Sequence, residues 1–404
     1  MTHPLPYEDG ISEDVYHNLF VRVGLDESLQ QSFFKKRCES LSAKDALAYD
    51  SSTISVYSEN QNDARFGFNK AHDGLKTIKL LTLYSIDNRQ PIAFTKQPGN
   101  LPDVISVTNA INQLRALGVN TTEIVTDNGY YSEQNLSELL QAGFDFITLT
   151  KTSLKFRKYS SHKNGAEKGS EEAFKRRIYL HIYFNKSRQT DDKTALEDDL
   201  YELKTLLESV TAIDDLSPAA KEKANKYFTV KRWGGKITAT ANNKAIKDAN
   251  KYHGYFALVS NKEKDPFECL RKYRKRETIE SFFEAEKQHV DGTRARVWYT
   301  DTLRGRMFVQ FISLCYYEYF SEEIRKLKVV LDSEINSGGL KSEALKTTKK
   351  LKTWVNNTPL YLQLQWFDTV EQVELSTKLR NRRWNTEVTS CDALYLEKIG
   401  LYRE

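Results

Sequence analysis

Three acidic residues fall where a carboxylate could hold a cation. Asp50 lies inside the apolar run ALAYDSSTISVY, residues 46–57. A carboxylate facing inward on a strand costs free energy unless it is paired or binds a cation; the competing role is a turn or cap with Ser51 and Ser52. Asp127 directly follows the short run TEIVT and opens Asp127-Asn128-Gly129. That position is the carboxyl end of a strand, where α/β sheets place their ligands, although Asp-Asn-Gly also builds an ordinary turn. The third, Glu280, belongs to a spaced set with Tyr273, Arg276 and Lys287. On one continuous helix these four share an arc of roughly 60°, at about 100° per residue. Ile279, Phe282 and Phe283 fall outside that arc, Phe282 furthest from it. Such a helix buries an apolar stripe and presents a Tyr/Arg/Glu/Lys stripe; an amphipathic helix with a salt-bridged polar face has the same appearance.

The elements that must carry these residues follow from hydrophobic periodicity. The runs ALAYDSSTISVY, KTIKLLTLYSI and QPIAFTK predict three strands, with Asp87-Asn88 turning a hairpin between the last two. A helix over 103–117 ends at Gly118; TEIVT predicts a strand, residues 132–142 a helix, and FDFITLT another strand. Residues 151–252 break the rhythm with a basic stretch, a strand-like segment over 177–185, a charged helix over 194–209 and short strands around 227–240. This segment reads as a β-containing insertion domain. Alternation resumes at YFALVSN, residues 255–261, and helices dominate from Pro266 onward. The expected divisions are an N-terminal helical region (1–45), a first catalytic part (46–150), the insertion (151–252), a second catalytic part (253–325) and a helical tail (326–404). Within the first of these, residues 28–41 have helical spacing and carry the basic patch Lys35-Lys36-Arg37.

Composition narrows the class without naming it. Apolar residues make up 39% and charged residues 28%, which excludes an intrinsically disordered chain. The net charge of +5 is too small to imply a polyanionic partner, but the charge is uneven. Residues 151–177 hold nine Lys/Arg against three Glu, and residues 191–215 hold nine acids against two Lys. A local basic patch can attract a polyanion, though charge runs are more commonly solvated faces. The cysteines at 38, 269, 315 and 391 are too scattered for a zinc site or a redox pair and suggest reduced thiols in the cytosol. No basic and apolar leader opens the chain, and the most apolar segment, 307–317, is too short to span a bilayer and carries Gln310. A cytoplasmic, nucleoid-associated protein with no membrane contact is therefore expected.

The spacing Tyr273-x2-Arg276-x3-Glu280-x6-Lys287 resembles the YREK signature of DDE transposases of the insertion-sequence-four superfamily. Asp50 followed by Ser-Ser-Thr resembles that family's first-aspartate motif. Asp127-Asn128-Gly129-Tyr130 resembles its second, with Asn128 where Arg is common. Further likenesses are Phe66-Gly67-Phe68-Asn69-Lys70, Pro98-Gly99-Asn100-x2-Asp103 and Gly254 to Asn261, in order across about residues 46 to 320. The predicted strand and helix order is also that of the ribonuclease-H-like fold, an α/β mixed sheet with flanking helices.

The resemblance implies an insertion-sequence transposase that cuts transposon ends and joins them to target DNA by two-metal hydrolysis and transesterification. Asp50 would bridge two Mg²⁺ (or Mn²⁺) ions and Asp127 and Glu280 would each complete one ion's shell. Hard carboxylate oxygens suit these ions better than zinc. Arg276, Lys287 and the Tyr273 hydroxyl would hold backbone phosphates near the cut. Trp233, in Lys231-Arg232-Trp233-Gly234-Gly235, is the candidate for stacking on a base flipped from the DNA, against the ordinary role of a core Trp. The partners implied are double-stranded DNA, both terminal inverted repeats and target, and a second copy of the chain in the DNA complex. Only 49 residues precede Asp50, so either a reduced end-binding region or a shortened copy is expected. Two other readings share parts of the pattern: a different ribonuclease-H-like nuclease, and a transposase-derived protein that binds DNA without cutting it.

Overall fold

A computed structural model of the chain describes residues 12–42, 45–67, 69, 72–150, 177–210, 215–233, 236–289, 292–369, 372–376, 381–385 and 388–401. The chain divides into two compact units, one of residues 1–145 and 274–404 and one of residues 146–273. Among the described residues no helix is long and apolar enough to cross a membrane.

The first unit is built on the strands β1 (Ala46–Val56), β2 (Lys76–Ser85), β3 (Gln90–Pro98) and β4 (Glu123–Thr126). β1 and β2 pair antiparallel with Asp50 opposite Thr82, and β2 and β3 form the expected hairpin. Its turn places Arg89 in the left-handed region at φ 52. β4 pairs parallel to β1 with Tyr49 opposite Thr126. A two-residue strand, β10 (Arg294–Ala295), runs parallel to the other end of β1. A parallel neighbour needs a crossover, and α3 (Ser106–Ala116) supplies it between β3 and β4. A 3₁₀ turn at Asp103–Ile105 leads into α3. α4 (Glu133–Ala142) follows β4, capped by Ser132 at its start and by Gly143, at φ 85, at its end. This is an α/β fold with a mixed sheet and flanking helices, as the element order implied.

The motifs around Gly67 and Gly99 meet where β2 begins and β3 ends. A Cβ on Gly67 would overlap the Gly99 carbonyl, and one on Gly99 would overlap Thr77. Gly99 N–H donates to Thr77 O at 3.0 Å. These glycines let three backbones touch, a packing role rather than a chemical one.

Helices close the unit. α1 (Glu13–Leu25) and α2 (Glu27–Glu39) pack against the 37-residue α10 (Thr300–Asn336). α1 and α10 cross with backbones touching at Gly24 and Gly305, where a Cβ on either would overlap the opposing helix. Phe33, Phe34, Phe94, Phe308 and Phe311 interlock with ring centroids 5.1–6.5 Å apart, mostly edge to face. Burying each such ring contributes roughly 1.5–3 kcal/mol. The apolar segment 307–317 thus lies in the first half of a core helix. The far half of α10 packs with α11 (Ser342–Asn357) and α13 (Ser390–Lys398) through Leu327, Leu331, Leu351, Val355 and Tyr395. Between these two helices lie α12 (Leu360–Trp366) and the hairpin β11 (Gln372–Ser376) and β12 (Asn381–Asn385).

The second unit contains β5 (Asp145–Thr150), β6 (Tyr179–Phe184) and β9 (Tyr255–Ser260), with β9 antiparallel to both of the others. Around these run α5 (Lys186–Ser209), α6 (Pro218–Tyr227), the hairpin β7 (Phe228–Trp233) and β8 (Lys236–Ala241), α7 (Asn243–Asn250) and α8 (Pro266–Lys275). Leu200, Leu203, Leu207, Ala224, Tyr227 and Phe228 form a core of their own. The unit is wider than residues 151–252 because β9 takes backbone hydrogen bonds from β5 on one side and β6 on the other.

Candidate active site

The register of the sheet brings the two aspartates together. Tyr49 pairs with Thr126 on parallel strands, so the next residues, Asp50 and Asp127, emerge side by side. Asp127 leaves β4 in extended conformation and caps a 3₁₀ turn, its Oδ1 accepting from Asn128 N–H at 2.7 Å. Asp50 Oδ1 accepts from Ser51 N–H at 2.8 Å and from the Tyr130 hydroxyl at 3.4 Å. Tyr130 is buried with its ring 5.2 Å from that of Tyr49.

Glu280 comes from α9 (Glu277–His289). The continuous helix expected from Tyr273 to Lys287 is interrupted at Arg276, which forms a turn between α8 and α9. The interruption places Glu280 in the first turn of α9, at the positive end of the helix dipole, and directs Arg276 into the cleft. Its guanidinium donates to Asp50 Oδ2 at 3.1 Å and to Glu280 Oε1 at 2.8 Å, and lies 3.8 Å from Asp127 Oδ2. All three acids are therefore gathered around one cation, which is only 6% exposed. Burial raises the pKa of Asp50 above the ordinary aspartate value, and the Arg276 charge opposes that shift.

A cleft of about 540 Å³ opens over these groups. Lys287 lines it together with Lys79, Asp103, Gly129, Tyr130 and Glu284. Lys79, buried on β2, donates from Nζ to Asp103 Oδ1 at 2.7 Å and to Leu101 O at 2.8 Å. Ser51 Oγ donates to the same Asp103 oxygen at 3.3 Å. Among the described residues the wall carries Asp50, Asp103, Asp127, Glu280 and Glu284 against Lys79, Arg276 and Lys287. The acids outnumber the bases, so a phosphate entering unaided would meet net repulsion.

Sequence reasoning missed the role of Lys79 and Tyr130 and left Asp103 as part of a motif. A lysine inside the strand KTIKLLTLYS was a usable signal, because a buried cation needs a partner. Of the remaining candidates, Tyr273 lies on α8 and ends the second unit. Trp233 is the last residue of β7, paired with Lys236; its side chain lies outside the described structure, as does nearly all of the basic stretch 151–177. Cys38, Cys269, Cys315 and Cys391 are all free thiols, the first three buried. Among the described residues no group of three or more His, Cys, Asp or Glu is poised as a ready cage for an ion; at this cleft Arg276 stands between the acids.

Against known proteins, the family model described as "Transposase DDE domain" matches residues 41–316. No curated protein matches the chain. Among solved structures, a piggyBac transposase synaptic complex with hairpin DNA is similar at 10% identity and a TM-score of 0.40, over 86% of this chain and 59% of that one. A Mos1 transposase paired-end complex is similar at 12% identity and a TM-score of 0.19, over 36% of this chain and 45% of that one. The Drosophila P element transposase strand transfer complex is similar at 12% identity and a TM-score of 0.18, over 88% and 94%. The chain thus spans under two thirds of the length of the first two. The matched span 41–316 runs from ahead of β1 into α10 and takes in Asp50, Asp127 and Glu280, and on it this chain belongs to the transposase DDE domain family.

Proposed function

We propose that the protein is a cut-and-paste DNA transposase of the insertion-sequence-four type, with Asp50, Asp127 and Glu280 as its catalytic acids. The observation that carries this reading is the convergence of the three carboxylates on the Arg276 guanidinium, within 3.1, 3.8 and 2.8 Å. Carboxylates from two strands and a helix seldom gather so unless the site is built to hold positive charge. The donor set is all hard oxygen, which fits Mg²⁺ or Mn²⁺. The acid excess of the cleft fits as well, since divalent cations would reverse the sign that a phosphate meets.

Asp50, Asp127 and Glu280 would hold the divalent ions. When bound, such ions supply an activated water or 3′-hydroxyl and stabilise the leaving oxygen. Arg276 and Lys287 hold phosphates of the cut strand, and Tyr273 and Trp233 contact the DNA from the second unit. Residues 151–252 within that unit are the family's insertion, and two copies of the chain act on paired transposon ends. Asp103 and Lys79 are not ligands in this scheme; their ion pair props the floor of the cleft beside Ser51.

The test is Mg²⁺-dependent cleavage of duplex DNA by Asp50→Ala, Asp127→Ala and Glu280→Ala proteins. Each loses cleavage and keeps DNA binding, because removing an acid removes an ion position but lowers repulsion with phosphate. A Glu280→Ala protein that cuts at the normal rate ends this assignment.

A further inference from the structure

Away from the cleft, the other end of β1 exposes aromatic rings that packing does not explain. Tyr57, just past β1, is 53% exposed and Trp298, just past β10, is 69% exposed. Leaving large rings in water forgoes their burial, and such patches on folded proteins mark binding surfaces. The backbone beneath them is firmly held. Ser55 N–H donates to Thr293 O at 3.0 Å, and Ser55 and Val56 pair with Arg294 and Ala295. Ser58 Oγ donates to Trp298 O at 2.9 Å, and the buried Gln61 donates from Nε2 to Val297 O at 3.0 Å. Trp298 therefore projects from a fixed support, which cuts the entropy cost of binding.

The charges lining the recess beside these rings are positive, and the Asp73 carboxylate, outside it, lies within electrostatic reach of Arg294. The Arg294 guanidinium lies over the Tyr57 ring, 5.7 Å from its centroid. Arg294 and Arg296 are both exposed. With Trp298 they line a recess of about 330 Å³ whose described wall bears two guanidinium groups and no carboxylate. The pairing of ring and cation recurs next door: Val56 is registered with Lys76, whose Nζ lies 5.8 Å from the ring centroid of Phe66. Phe66 is 69% exposed.

We infer that this recess is a subsite for single-stranded DNA, taking an unpaired strand that leads away from the cleft; the inference rests on the transposase reading above. Exposed rings stack on the faces of unpaired bases, which a duplex keeps covered, while guanidinium groups hold the phosphates between them. A duplex surface would call for cations without the rings. Asp50 and Tyr57 are seven residues apart along one extended strand, roughly 23 Å at 3.3 Å per residue. A strand held at Asp50 can reach Trp298 within a few nucleotides.

The experiment compares binding of a blunt duplex with the same duplex carrying a single-stranded tail of about ten nucleotides at either end, a length within known single-strand site sizes. For the wild-type protein the tail at one end strengthens binding roughly tenfold or more, as stacking of one or two bases would. Trp298→Ala loses most of that gain, Trp298→Phe keeps most of it, and Arg296→Ala loses part and flattens the salt dependence. Blunt-duplex affinity and melting temperature stay as in the wild type. The subsite is refuted if the tail adds nothing to wild-type binding, or if Trp298→Ala keeps the full gain. An equal loss on blunt and tailed DNA refutes it too, by making Trp298 a duplex contact. Failure of the catalytic reading is separately visible, since it appears as cleavage by the Glu280→Ala protein whatever the tail does.

Discussion

Arg276 Nη1 lies 3.1 Å from Asp50 Oδ2, and this pair sets the electrostatic balance of the cleft. The guanidinium already does for the acids what a metal ion would do: it offsets their charge. Replacing Arg276 by Ala leaves Asp50 beside Asp127 without that offset. The expected result is a lower melting temperature without divalent ions, by a few degrees, since breaking a buried pair costs about 3–5 kcal/mol and the half-exposed Glu280 reduces that cost. Adding Mn²⁺ should then raise the melting temperature of Arg276→Ala more than that of the wild type. Thermal denaturation with and without Mn²⁺ checks this, and equal metal responses in the two proteins contradict it.

Lys287 lines the cleft from α9, two turns beyond Glu280. Its replacement by Ala should weaken binding to duplex DNA of any sequence. It should also reduce the slope of log affinity against log salt by about one, as one phosphate contact is lost. Stability should change little. A salt series on both proteins decides it: an unaltered slope makes Lys287 part of an ordinary polar helix face.

Two buried glutamates give the first unit a stability that depends on pH. Burial pushes Glu286 on α9 up to about 7, and it pushes Glu318 on α10 up to about 7 despite the Tyr84 hydroxyl donating to it at 2.8 Å. Each keeps its proton longer in the folded chain than in the unfolded one, where the value is near 4.5. The stability so gained is full below pH 4.5 and is lost as pH rises to about 7. A difference of this size corresponds to roughly 3 kcal/mol for each group. Glu286→Gln and Glu318→Gln should therefore melt several degrees above the wild type at pH 8 and level with it at pH 4. Melting curves that differ equally at both pH values count against this account.

The helix crossing at Gly24 and Gly305 allows no side chain. Gly305→Ala should lower stability by roughly 1–3 kcal/mol, the usual cost of overpacking, even though alanine is the better helix former. Chemical denaturation measures this directly. A stabilised Gly305→Ala protein would show that α1 is loosely seated.

Much of this site could be read from the residues, and the reasons are physical. Asp50 was visible because a charge within an apolar strand is costly, and Asp127 because it stands at the end of β4 with turn residues after it. The strands and helices from Ala46 to Thr150 follow closely the periods of two and 3.6. What periodicity could not give was the interruption at Arg276. No glycine or proline marks it, and the sequence Lys275-Arg276-Glu277 is locally a good helix. The break is set by tertiary pairing of the guanidinium with Asp50, 226 residues earlier in the chain. The Lys79–Asp103 pair was hidden for the same reason, its partners being 24 residues apart on different elements. Pairing between distant residues leaves no local pattern.

The crossing of α1 and α10 also bears on how the chain is made. Phe33 and Phe34 pack on Phe308 and Phe311, and Gly24 on Gly305. Both partners of each contact are needed before this core can close, and about 250 residues of synthesis separate β1 from α10. At 5–20 residues per second that interval is roughly 10–50 s, during which β1, β2 and β3 have no roof. Residues 146–273, a compact unit with an apolar core of its own, emerge within that interval. The order of translation therefore leaves the sheet of the first unit as a waiting half-structure, exposed to chaperones and to aggregation, until α10 arrives.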